Sequence, residues 1–474
     1  MLLALIAGFF VVPGGLWVVW KVSRPPFGAE TFRLLYLAWA LLLAAASVWN
    51  ITRDVRLSVE EAGTDNYVRA AFLLLAALII FLVGARYRFQ FLKELQAGAL
   101  GIFFVFSLWG LTSTLWSVEH ASTLYKSAEY CAMLGIFALA IFLIMSTFGD
   151  LRTRLIALKS VFDWQWFLLL LLVASVYMGM VIWPEYAILR GYRDATGILG
   201  FSIQGVLPGL SANSVGDVAG ILGLVALIRI LEVRSSRVFY VPVLVAMLVT
   251  MVLTQSRSPI LAFLVASAVV LVASGRYFLL AMSGTALGGL LLTKYIQVAY
   301  SFLERGQNEQ GLLTLTGRVT WWKASLEAVQ DRWLYGYGAN AGGRYALQSV
   351  LGEEVATVHS AWVEIILDTG IVGLILFSLG LLTTWVWLLR LRLVSMVNPI
   401  SRLLWFESLG VLTLLCVRSV FSVNLTWSYL VLTLGTVLVF IGVVRRQVDQ
   451  ERNARTTVAQ PLPATRRRRP SIRR

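Results

Sequence analysis

The chain is dominated by unbroken apolar runs, each close to the ~20 residues a helix needs to cross a bilayer. Thirteen are legible: about 2–20, 34–49, 67–85, 95–112, 127–146, 164–183, 215–233, 238–254, 258–274, 277–294, 361–389, 403–420 and 427–444. Continuous runs, in place of alternation over ~10-residue strands, exclude a membrane β-barrel. The expected fold is an all-α polytopic integral membrane protein with about 12–14 transmembrane helices. With 58% of 474 residues hydrophobic and only 14% charged, a soluble domain would lack polar surface. The 17 Trp and 16 Tyr suit interfacial belts and sugar-stacking surfaces alike.

The formal charge of +15 does not build a soluble basic domain. Ten arginines follow Ile441, and most others are spread over short loops. That pattern speaks for membrane topology and anionic lipid, and against nucleic acid. Lys21 and Arg24, Arg86 to Lys93, Arg152 to Lys159, Arg234 and Arg237, Arg276, Arg390 and Arg392, and the tail fall in alternate loops. The positive-inside rule puts these in the cytoplasm, with the C-terminus. Loops 50–66, 184–214 and 295–358 then lie outside. The run Met1–Trp20 lacks a basic leader and a small-residue cleavage site, so it reads as a first span.

The chain divides into transmembrane helices over 1–294, an extracytoplasmic loop domain over 295–360, helices over 361–444 and a disordered basic tail over 445–474. Cys131 and Cys416 lie inside apolar runs, which argues against a disulfide or a thiolate metal site. No Gly-rich loop carries a Walker lysine, and no transporter-like repeat stands out.

The chemistry concentrates in the outer segments. Arg190 and Arg193 are three apart, so on a helical turn they would share a face. A Gly/Ser-rich passage through Gly209, Ser211, Asn213 and Gly216 follows. Thr254-Gln255-Ser256-Arg257 forms a short outer turn, and Arg257 runs against the charge bias there. Its two readings are a substrate contact and a solitary surface arginine. In the large loop, Gly317 looks like a break before an amphipathic helix carrying Arg318, Trp322, Lys323 and Ser325. An anion at that end would gain from free backbone N–H groups and a guanidinium fork. The bland alternative is an interfacial helix whose arginine snorkels to headgroups.

Tyr335-Gly336-Tyr337-Gly338 reads as a flexible aromatic segment that could border a glycan path. His359 begins the next apolar run. Clustered arginines would lower its pKa and keep it neutral, as a general base requires, or it caps a helix at the interface. Its orienting group is unassigned, since Glu364 is five positions on. His120 lies in a short outer loop and is the weaker histidine. Arg418, near the outer end of its apolar run, is costly there unless paired or facing a cavity, and reads as a candidate to reach the substrate.

These groups suit a polyprenyl-pyrophosphate glycan donor, whose leaving group already carries the energy for transfer. Arginines would hold the diphosphate and neutralise charge as the anomeric bond breaks, and His359 would accept the acceptor's proton. In-line displacement inverts the anomeric centre. The outer carboxylates, Glu304, Glu309, Asp331, Glu353 and Glu354, are dispersed, so a reaction with no metal or cofactor is expected.

Thr316-Gly317-Arg318 with Trp322, Tyr335-Gly336-Tyr337-Gly338 and His359 leading into Glu364–Gly373 occur in an order that resembles the bacterial O-antigen ligase and polymerase superfamily. Leu115-Trp116-Ser117 and Thr254-Gln255-Ser256-Arg257 add to the likeness, which covers most of residues 100–380. It implies a many-helix inverting glycosyltransferase of the GT-C type in the bacterial inner membrane, with its active site on the periplasmic side. Undecaprenyl-pyrophosphate glycan would be the donor, a lipid A core or other lipid-linked or glycan hydroxyl the acceptor, and polysaccharide-assembly proteins candidate partners. The family's middle arginine is carried to Arg193, with Arg190 as rival, and its other functional residues to Arg318 and His359. Ser360 departs from the asparagine common after that histidine, and keeps one hydrogen-bonding group where the amide has two. Ligase is favoured over polymerase, and a lipid-glycan transporter is the reading from another class.

Overall fold

The computed structural model describes residues 30–49, 64–190, 199–291, 318–343, 352 and 358–458. The expected first span, Arg193, the Thr316-Gly317 pair and the final residues lie outside the described residues. The other twelve apolar runs all fold as helices. They are α1 Glu30–Ala45, α2 Thr64–Arg86, α3 Gly98–Thr112, α4 His120–Thr147, α5 Leu151–Ile182, α6 Ala212–Glu232, α7 Arg237–Leu253, α8 Arg257–Ala273 and α9 Tyr277–Leu291. After the short α10, Arg318–Ala328, come α11 Ala361–Arg390, α12 Pro399–Ser419 and α13 Val431–Val458. Among the described residues, nine helices are long and apolar enough to span a membrane. The chain is a multi-pass helical membrane protein.

Two helices outrun their apolar stretches. Asp150 caps α5 by accepting the Thr153 N–H at 3.0 Å, so Arg152, Arg154 and Lys159 ride on the helix and not on a loop. Arg154 is buried and donates to the Phe148 carbonyl at 2.7 Å and to Gln450 at 2.8 Å. Those contacts, with an Arg446–Glu94 ion pair at 2.8 Å, carry α13 to Val458. Residues 445–458, expected in a disordered tail, are therefore helical. Polar residues extend a helix once their side chains find partners on neighbouring elements.

α4, α6, α12 and α13 form the interior, while only 28% of the apolar windows of α2 and of α7 is buried. Leu74, Leu78 and Phe81 of α2 point outward, as suits helices against acyl chains, where apolar surface gains nothing by turning inward. The interior is pinned by charge instead. Arg229 of α6 donates to Glu407 of α12 at 2.6 Å and to Asp163 of α5 at 2.7 Å, and reaches the Tyr240 hydroxyl of α7 at 3.0 Å. Trp166 of α5 completes the Glu407 carboxylate at 2.8 Å. Four helices are thus held in one register, and removal of a single partner from such a buried pair costs about 3–5 kcal/mol.

Several basic residues of the linking segments gather at one end of the bundle. Arg276 and Arg402 share Glu232 at 3.0 and 2.9 Å, and Arg390 and Arg445 both lie over the Trp387 ring. At the other end, 184–211 contributes a small hairpin, β1 Ile188–Arg190 antiparallel to β2 Phe201–Ile203.

Candidate active site

The second end is organised by a break in α11. Gly370 adopts φ 66°, ψ −168° inside that helix, interrupting its hydrogen-bond ladder. The freed N–H groups of Ile371 and Val372 turn to the carbonyls of Trp333 and Leu334, at 2.8 and 3.4 Å. A Cβ at Gly370 would collide with the Leu334 carbonyl, and one at Gly336 would come within 2.5 Å of the Asp368 backbone. Tyr335-Gly336-Tyr337-Gly338 is therefore not a pliable rim. Its glycines let two backbones interlock, with Tyr337 N–H on the Leu367 carbonyl at 3.0 Å and Gly338 N–H on the Asp368 carbonyl at 2.8 Å.

Asp368, fully buried, closes the joint. Its carboxylate collects the N–H groups of Asn340 at 2.9 Å, Gly342 at 2.8 Å and Gly343 at 3.4 Å, and the Trp427 indole at 2.7 Å. A carboxylate ringed by backbone donors in this way is a staple for the chain returning from α10. The turn after α3 seals the other side: Val118 N–H meets the Tyr337 carbonyl at 3.0 Å, and Thr123 donates to the Ala339 carbonyl at 2.9 Å. Leu115-Trp116-Ser117 thus receives the Tyr-Gly segment.

On this base α10 lies against the start of α11. Ser325 and Ala328 are buried, Tyr337 donates to the Ala328 carbonyl at 2.8 Å, and Trp322 donates to the Val358 carbonyl at 2.9 Å. Trp321 stacks on the His359 ring, centroids 5.6 Å apart and planes tilted by 30°. Arg318, one turn earlier, reaches the Phe421 carbonyl at 3.4 Å. Burial first, then the Arg318 and Arg418 guanidiniums, lower the His359 pKa to about 4. The imidazole is neutral at pH 7. The arginine effect is the one the sequence suggests; the larger part, burial, needed the fold. His359 also sits at φ 54°, a left-handed conformation costing of order 1–3 kcal/mol that its surroundings must sustain.

Residues 242–378, from within α7 to past the Gly370 break, match the family model described as O-antigen ligase. Over that segment the chain is similar to the O-antigen ligase family. The resemblance read from the motifs is borne out, and the family is one of membrane ligases and polymerases that act on a lipid-linked glycan donor and an acceptor. No curated protein matches the chain. The matched segment holds Arg257, Arg318, Lys323 and His359, and leaves out Arg190, Arg193 and Arg418.

The structure brings some of these residues together and separates others. Arg318 and His359 adjoin. Arg418, at the end of α12, is almost fully buried and forks onto Asp217 of α6, with Nη2 2.8 Å from Oδ2 and Nε on Oδ1, while Nη1 donates to Ser258 of α8 at 2.6 Å. Nothing along the chain marks Asp217 as its partner, because the two residues, 201 positions apart, are close in space alone. Arg418 is committed to a helix-pinning pair, and acts on the site through its charge. Arg257 stands beside Ser258 at the first residue of α8. Its turn is locked by Ser202 donating to the Thr254 carbonyl at 2.9 Å and by Ser256 donating to Asn213.

Lys323 is exposed, on the face of α10 away from buried Ala324 and Ser325, and is not drawn into the site. Arg190 is exposed at the end of β1, paired with Phe201 across the hairpin and not on a helical turn. His120 opens α4, exposed. Helices α6, α8, α10 and α11 are among those that begin at this end, and the positive ends of their dipoles add to the potential of Arg257, Arg318 and Arg418. Sequence reasoning missed Asp217 and Asp368. An acidic residue inside an apolar run was the available signal for both.

Proposed function

We propose that the chain transfers a glycan from undecaprenyl pyrophosphate to a hydroxyl acceptor with inversion, as a ligase, without a metal ion. What supports this reading is a neutral imidazole stacked under Trp321 beside Arg318, at an end of the bundle where helix N-termini favour an anion. Arg318, with Arg257 and Arg193, binds the diphosphate and neutralises charge as the anomeric C–O bond breaks. The acceptor hydroxyl attacks from the opposite face, and His359 takes its proton. Arg418 raises the local potential and helps keep His359 unprotonated. The basic end faces the cytoplasm and the site the periplasm, in line with the positive-inside rule.

The test is purified protein in lipid with an undecaprenyl-pyrophosphate oligosaccharide, separate acceptors and EDTA. Transfer continues in EDTA, and falls about 10²–10⁴-fold in His359→Ala and 10²–10³-fold in Arg318→Ala. Turnover that stops in EDTA rejects metal independence, and wild-type rates in both variants reject the assignment. One en bloc addition marks a ligase; a ladder of repeats marks a polymerase.

A further inference from the structure

We propose that Glu364 is the positioning residue for His359, holding the peptide before the histidine so that the ring stays beneath Trp321. This rests on His359 being the proton acceptor. Glu364 is buried in the first turn of α11 and accepts the Val358 N–H through Oε2 at 3.2 Å. The same helix turn is closed by Glu364 N–H on the Ser360 carbonyl at 2.9 Å. Glu364 thus holds both flanks of His359, its carboxylate on the Val358 N–H before it and its own N–H on the Ser360 carbonyl after it. Two further bonds fasten that loop: the Val358 carbonyl accepts the Trp322 indole at 2.9 Å, and Ala361 N–H reaches the Ser422 carbonyl at 3.1 Å.

A left-handed histidine persists only where its flanks are held. Glu364 is placed to do this and is itself wedged. A Cβ on Gly343 would lie 2.7 Å from its Oε1, and Gly343 N–H is part of the Asp368 staple. A chain of contacts therefore runs from Asp368 through Gly343 and Glu364 to Val358, the residue before His359. Five positions along a helix do not put two side chains together, but they do put a carboxylate under the backbone that precedes the helix. Among the described residues, the charged groups that act on the ring are Arg318 from α10 and Arg418 from α12, the latter paired with Asp217 of α6, while Glu364 of α11 holds the backbone beside it. With Val358 released, the ring swings toward solvent and away from both arginines, and its proton affinity rises.

The chain holds two histidines, and His120 is exposed, so histidine-labelled protein offers one control signal and one test signal. Glu364→Met fills the space without an acceptor, and Glu364→Gln keeps the acceptor oxygen. NMR titration is expected to put His359 near its value of about 4 in wild type and Glu364→Gln, and to move it toward the ordinary 6.5 in Glu364→Met. The acid limb of kcat/KM moves with it, kcat falls at least tenfold, and donor KM changes less than threefold. Glu364→Met with wild-type kcat and an unmoved His359 overturns the proposal. Should Glu364→Met fail to fold, Glu364→Gln decides: turnover within threefold of wild type upholds the acceptor role, and a larger loss overturns it. His359→Ala separates the two readings. Full turnover there sinks the proton-acceptor assignment, whereas an inactive His359→Ala beside an unperturbed Glu364→Met sinks only the positioning role.

Discussion

Asp217→Leu tests whether Arg418 is a pin between helices or a hand on the substrate. The pair is buried on both sides, 1% and 4% exposed at the side chains, forked, and completed by Ser258. Taking Asp217 away leaves a guanidinium out of water with one hydroxyl acceptor from the original set, a loss of about 3–5 kcal/mol. Total stabilities are commonly 5–15 kcal/mol, so the variant should unfold at visibly lower temperature. Replacing both partners, Asp217→Leu with Arg418→Met, removes the orphaned charge and should recover stability to within about 1–2 kcal/mol of wild type, since apolar substitutes for a buried pair are often neutral. The measurement is the thermal midpoint in detergent by fluorescence-detected gel filtration, followed by the transfer assay on the folded variants. A double variant that transfers glycan within about tenfold of wild type identifies a structural pair. The reasoning is refuted if Asp217→Leu is as stable as wild type, or if the double variant is as unstable as the single one. A stable but inactive double variant would return Arg418 to the substrate.

Gly370→Ala places a side chain in a left-handed backbone and against the Leu334 carbonyl, and should cost at least about 1–3 kcal/mol; Gly149→Ala, with open space around it, should be neutral in the same thermal scan. The pH dependence follows from His359: its folded pKa, about 4, lies below the ordinary 6.5, so its contribution to stability is full above pH 6.5 and is lost as pH falls toward 4. kcat/KM should stay level from neutral pH to about 5 and fall below 4, because protonation removes the base. A limb at pH 6.5 in the wild type would contradict a buried imidazole beside two guanidiniums.

The twelve described apolar runs were legible as helices because run length and apolar continuity are local properties, set by bilayer thickness and by the need of a lipid-embedded backbone to satisfy itself. The ordering of Arg318, the Tyr-Gly segment and His359 was legible as well, because the order of motifs is a property of the chain alone. Tertiary structure alone decided what the charges do. Arg418 meets a carboxylate 201 residues away, and no spacing along the chain reveals that. Lys323 and Arg318 share a helix yet face different ways because packing against α11 chose the buried side. The Tyr-Gly segment looked pliant until Gly370, more than thirty positions on, provided the broken helix it fills. The depth of His359 is likewise a property of the assembled ends of α10, α11 and α12, because desolvation depends on every neighbour and on none of them singly.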